Sequence, residues 1–82
     1  MIILDANYIL RFLVKDNLEM YEIAKNCMIN NNCLIPNEVL AEVVFVLLKV
    51  YHIEKNDISK SLIEVLLYNN ILLENKEIMI KI

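Results

Sequence analysis

The chain has 82 residues, of which 59% are hydrophobic, against roughly 45–50% in an average soluble domain. One small domain cannot bury that much apolar surface, so we expect part of it to face a partner or a second copy. The net charge of −3 and the single arginine, Arg11, argue against nucleic-acid binding through a broad basic surface.

The apolar residues do not form a membrane span. The longest apolar stretch, residues 39–50, is interrupted by two charged residues and is shorter than the roughly 20 residues that a span requires. The N-terminus lacks a basic region and has an acid at residue 5, which argues against a signal peptide. Cys27 and Cys33 match no zinc or CxxC spacing and are interpreted as reduced, buried thiols. We therefore expect a cytoplasmic protein.

The first half of the chain predicts one strand and two helices. Residues 1–5 are typical of a buried strand, and residues 8–14 predict a short apolar helix. Asp16 and Asn17 are the predicted N-cap of a second helix. Its apolar residues recur at intervals of three and four: Met20, Ile23, Ala24, Cys27 and Met28.

A second predicted strand, residues 33–35, is ended by Pro36. Asn37 is the predicted cap of the helix that follows, from residue 38 to about residue 51. Since the chain contains no glycine, its turns are expected to use Asn, Asp and Pro instead, and asparagine stands at nearly every predicted break.

The last part of the chain repeats this alternation. Asn56 and Asp57 are the predicted cap of another helix, residues 71–73 predict a third strand, and Asn75 begins a final helix. Continuous apolar strands alternating with helices indicate an α/β fold whose parallel sheet is covered on both faces. No linker divides the chain, so we predict one domain over residues 1–82.

Two acids follow the first two strands. Asp5 ends the first strand, where open α/β sheets bind their ligands, and Glu42 lies in the helix after the second strand. Carboxylates converging there suit Mg²⁺ or Mn²⁺. The alternatives are structural: Asp5 is a helix cap, Asn7 is a turn residue, and Glu42 belongs to a solvated stripe with Glu38. For Glu42, the spacing alone favours the solvated stripe.

Three segments, IILDANYILRFLV, LIPNEVLAEVVFVLLKVYHI and NDISKSLIEVLL, together resemble the N-terminal part of PIN-domain ribonucleases. The closest resemblance is to VapC-like toxins of toxin–antitoxin pairs, and it runs in order over essentially the whole chain. It implies a PIN-like three-layer α/β/α fold with a short parallel sheet. It also implies that Asp5 and Glu42 are catalytic acids that bind the metal, with Asn7 in support. Ala6 stands where the family often has Thr or Ser.

The resemblance further implies an activity and partners. The activity is Mg²⁺- or Mn²⁺-dependent hydrolysis of RNA, and the usual protein partner is an antitoxin. The family's remaining acids and its last two strands would lie beyond Ile82, which predicts an N-terminal fragment or a shortened member with weak or no activity. The first strand would then have an open edge, so we expect a homo-oligomer. The alternatives are a catalytically dead remnant that acts as a protein–protein interaction module, and a small helical adaptor with surface acids.

Overall fold

The structure, a computed structural model, describes residues 1–74. It contains three short strands and four helices, in the order predicted for this part of the chain. These are β1 (Ile2–Ile3), α1 (Ala6–Val14), α2 (Leu18–Asn30), β2 (Cys33–Ile35), α3 (Asn37–Lys49), α4 (Lys55–Leu66) and β3 (Ile71–Leu73). The protein is thus a small α/β protein with a parallel sheet. The predicted helix from Asn75 lies outside the described residues.

Two helices begin with the side-chain caps that their sequence predicts. The carboxylate of Asp5 accepts a hydrogen bond from the backbone N–H of Tyr8 at 3.2 Å, so α1 begins at Ala6, two residues earlier than predicted. The side-chain oxygen of Asn17 accepts from the N–H of Met20 at 3.1 Å and caps α2. Each bond satisfies one N–H that a helix leaves free in its first turn.

The predicted caps of α3 and α4 are wrong. Asn37 is the first residue of α3, and its backbone N–H donates to the carboxylate of Glu74 at 2.8 Å. A contact from the end of β3 therefore replaces the local cap. Asn56 and Asp57 lie inside the first turn of α4, where the charge of Asp57 suits the helix dipole.

In residues 1–74, two residues other than glycine have a left-handed backbone, and neither is an asparagine. These are Lys15, at φ 58°, and His52, at φ 56°. A left-handed conformation costs about 1–2 kcal/mol for a residue with a Cβ atom. At the end of α1, Lys15 gains two contacts that offset this cost: its N–H donates to the carbonyl of Arg11, and its ammonium lies 5.3 Å from the ring of Tyr21.

The strands form a parallel sheet in the order β1-β2-β3, with β1 at one edge of the described part. Ile2 pairs with Cys33, which pairs with Ile71, and Ile3, Leu34 and Leu72 form the next row.

One face of this sheet carries the core and the other is open. Cys33, Ile35 and Ile71 are buried, whereas Ile3 is 67% exposed and Leu72 is 46% exposed. The connection from β1 to β2 and the connection from β2 to β3 cross the sheet in the same direction. Such crossover connections are nearly always right-handed, and two right-handed crossovers in one direction place the four helices on one face of the sheet. The cover that was predicted on the second face is not found within residues 1–74.

The core lies between that covered face and the helices, and all buried side chains of the described residues are apolar. Its helical part consists of Ala6, Ile9, Met28, Leu40, Val43, Leu47, Ile58, Leu62 and Val65. None of the helices in residues 1–74 combines the length and the apolar character needed to cross a membrane.

Both cysteines are free thiols, as predicted. Cys33 is buried in β2 and donates a weak hydrogen bond to the carbonyl of Asn31 at 3.4 Å, while Cys27 is half-buried. Burial, with a smaller contribution from neighbouring Cys27, raises the pKa of the Cys33 thiol above its ordinary value. The thiol is therefore protonated at neutral pH and a poor nucleophile.

Candidate functional site

The candidate site lies at the C-terminal ends of β1 and β2. Asp5 follows β1 and caps α1, Asn7 is in the first turn of α1, and Glu42 is in the second turn of α3. Because β1 and β2 are neighbouring parallel strands, the helices that follow them begin at the same end of the sheet, and α1 packs against α3.

A cleft of about 300 Å³ between α1 and α3 brings the three predicted residues together. It is lined by Asp5, Ala6, Asn7, Leu10, Glu42 and Val46. Glu42 is exposed, as the solvated-stripe interpretation predicts, and it also borders this cleft, so both interpretations describe its position. Glu38 is exposed as well, but it does not line the cleft. The geometry thus separates the two glutamates of α3.

Asp5 acts as a helix cap and still borders the cleft. Its Oδ1 atom accepts the Tyr8 N–H, which uses one of about four acceptor positions of an ionised carboxylate. The bond also restricts the rotamer of the side chain. The structural and the functional interpretations of Asp5 are therefore compatible.

A second cavity, of about 230 Å³, lies between α1 and α2 and shares Asp5 and Asn7 with the first. Its other lining residues are Tyr8, Arg11, Met20, Ile23 and Ala24. Asp5 and Asn7 therefore border both cavities. One sequence feature indicates the cavity between α1 and α2: the four-residue spacing places Asn7 and Arg11 on the same face of α1.

The available ligands suit a hard cation that retains part of its water shell. Asp5, Asn7 and Glu42 offer only oxygen ligands to the cleft, and no group of three or more His, Cys, Asp or Glu residues that could hold a metal occurs in residues 1–74. Mg²⁺ is typically held by one or two carboxylates together with waters and substrate phosphates. The residues present thus fit such an ion.

Comparisons of the chain with models of known families, with curated proteins and with solved structures gave no match. The resemblance to PIN-domain ribonucleases therefore stays a prediction.

Proposed function

We propose that this protein is a metal-dependent ribonuclease of the VapC-like PIN type, in which Asp5 and Glu42 bind Mg²⁺ or Mn²⁺ and Asn7 supports them. The observation that carries the proposal is the shared cleft, which these three residues border although they come from separate segments. The sequence order of the two acids, each after a parallel strand, supports the same assignment.

The proposal also includes the PIN-like three-layer α/β/α arrangement and the molecules that the protein binds. Within residues 1–74, the sheet order β1-β2-β3 with helices on one face leaves the second face open for another helical layer. RNA is the proposed substrate, and an antitoxin that covers the cleft is the proposed protein partner.

The chemistry assigns distinct tasks to the side chains. A bound Mg²⁺ ion supplies a water of lowered pKa and neutralises charge that develops on phosphate oxygens. Asp5 and Glu42 provide the negative charge that attracts the cation, and the Tyr8 N–H holds the Asp5 carboxylate in place. The Asn7 amide can donate a hydrogen bond to a phosphate oxygen or a water. The half-buried apolar side chains of Leu10 and Val46 complete the lining of the cleft.

The proposal predicts that Asp5→Asn and Glu42→Gln each weaken Mn²⁺ binding at least about tenfold, since even outer-shell changes reach that size. Asparagine caps helices as well as aspartate does, so Asp5→Asn removes the charge while α1 stays capped. Affinity is measured by titration with Mn²⁺, and circular dichroism verifies the fold of each variant.

Glu38→Gln is the matched control, because Glu38 is on the same helix and exposed but does not line the cleft. Its Mn²⁺ affinity is expected to equal that of the unsubstituted chain. Equal losses in all three variants would indicate a diffuse charge effect, and no loss in Asp5→Asn and Glu42→Gln would reject the shared site.

A second candidate function is that of a catalytically dead interaction module. It is favoured by the small number of metal ligands, since only two acids among residues 1–74 border the cleft. Two carboxylates leave most of the coordination shell to water and orient a phosphate weakly.

We therefore expect this chain to cleave RNA weakly, even with added Mn²⁺, in a gel assay with Asp5→Asn as control. Robust cleavage that is lost in Asp5→Asn would contradict this expectation and show that another acid completes the site. Metal binding without any cleavage would favour the interaction module. Cleavage that persists in Asp5→Asn would reject the assigned site.

A further inference from the structure

The cavity between α1 and α2 contains the single arginine of the chain. Arg11 lies one helical turn after Asn7, and both line this cavity together with Asp5. The α2 side of the cavity is apolar: Met20, Ile23 and Ala24. The Arg11 guanidinium adds a positive charge to this lining, which favours an anionic ligand.

The guanidinium keeps donors free for a ligand. Its Nη1 atom pairs with Oδ1 of Asp16 at 3.3 Å, which is long for a charge-assisted hydrogen bond. Its Nε atom is buried and has no hydrogen-bond partner within the described residues. An arginine side chain has five N–H donors in a planar fork, and an unsatisfied buried donor is unfavourable. Because Nε is buried, a ligand in the cavity would be bound by the Nη donors that Asp16 leaves free.

The neighbouring acids restrict the chemistry of that acceptor. The carboxylate of Asp5 repels a free anion, but a divalent cation held by Asp5 and Glu42 neutralises the charge of the two carboxylates. A phosphodiester then meets the cation on one side and the arginine fork on the other, and arginine binds phosphate oxygens in a bidentate way.

We propose that Arg11 binds a phosphate of the polynucleotide substrate in the α1–α2 cavity, next to the metal-binding acids. The inference rests on the proposed function, because a phosphate enters this cavity only beside the bound cation. It assigns the two cavities to one substrate: the α1–α3 cleft holds the cation, and the α1–α2 cavity holds a phosphate of the same strand. Arg11 is then a binding residue, and its contact with Asp16 is secondary.

The test compares Arg11→Met with Asp16→Asn. Methionine keeps most of the apolar length of the side chain and removes its charge and donors. Binding of a fluorescent oligouridylate is measured by anisotropy with Mg²⁺ over a range of salt concentrations, and a gel verifies that the RNA stays intact. Arg11→Met is expected to weaken binding about tenfold and to reduce the salt slope by about 0.7, the value for one phosphate contact on a single strand.

Two further variants distinguish phosphate binding from a structural role. Arg11→Lys is expected to keep the salt slope and to recover only part of the affinity, because an ammonium lacks the bidentate fork. Asp16→Asn removes the ion pair with Arg11 and is expected to bind RNA at least as tightly as the unsubstituted chain. A loss in Asp16→Asn as large as that in Arg11→Met would overturn the inference, since Arg11 would then act by stabilising the α1–α2 turn.

The same variants separate this inference from the proposed function. Arg11→Met is expected to keep its Mn²⁺ affinity, whereas Asp5→Asn loses it. Unchanged RNA affinity and salt slope in Arg11→Met, with Mn²⁺ affinity still sensitive to Asp5→Asn, would overturn the role of Arg11 alone. A chain that binds Mn²⁺ through Asp5 but binds no RNA would overturn both the role of Arg11 and RNA as substrate.

Discussion

Leu47→Ala is expected to lower the free energy of unfolding by about 3 kcal/mol, within the usual range for a buried leucine. Leu47 is only 2% exposed, on the buried face of α3, so its truncation leaves a cavity in the core. A core of this size rarely supplies more than about 3–5 kcal/mol, so the variant is expected to be largely unfolded at 37 °C. Urea denaturation followed by circular dichroism measures the change.

The control for this prediction is Phe45→Ala on the same helix. Phe45 has a larger side chain than Leu47, but it is 60% exposed, so its truncation leaves no cavity in the core. Its removal is expected to change the free energy of unfolding by less than about 1 kcal/mol. Comparable losses in the two variants would mean that the buried face of α3 is assigned incorrectly.

The protein is expected to self-associate through its first strand, and Ile3→Lys is expected to weaken this association. Ile3 is in β1, which pairs only with β2 in the described part of the chain, and it begins the open apolar row that continues through Leu34 and Leu72. Neither residue of β1 is a lysine or a proline, the residues that commonly protect sheet edges. We therefore expect a second copy to cover this edge and face, and the lysine charge to weaken the dimer at least about tenfold, or 1.4 kcal/mol.

Sedimentation velocity at micromolar concentrations measures the association, and Leu18→Lys is its control. Leu18 is 75% exposed on α2, so the same charge is added there to a surface outside the sheet. That variant is expected to associate like the unsubstituted chain. A clean monomer of the unsubstituted chain at high micromolar concentration would contradict the prediction outright.

Local sequence patterns predicted the helices and strands. These patterns failed where a residue far away in the chain makes the hydrogen bond. Apolar periodicity and Asn17 locate α2 because both act within a few residues along the chain. The start of α3 is different, since the carboxylate that satisfies the N–H of Asn37 comes from Glu74, at the end of β3. Asn70 is a similar case: its side-chain amide donates to the carbonyls of Met28 and Asn31 and ties the start of β3 to the end of α2.

The candidate site was predictable in part. The rule that neighbouring parallel strands end at one edge of a sheet was enough to expect Asp5 and Glu42 close together. The same rule says nothing about Arg11, because the α1–α2 cavity depends on how two helices pack and on the direction of the arginine side chain. Spacing also could not separate Glu42 from Glu38, since both belong to the polar stripe of α3.

The sequence by itself determined the number, type and order of the elements in residues 1–74, the cap of α2 and the two acids that follow the strands. These depend on backbone preferences and side-chain periodicity over a few residues. The tertiary structure alone decided that the helices cover one face of the sheet, that Ile3, Leu34 and Leu72 form an open row, and that Asp5 and Asn7 border two cavities. The physical reason is that strand order, register and helix packing arise from contacts between residues far apart in the chain, and the local pattern is compatible with more than one such arrangement.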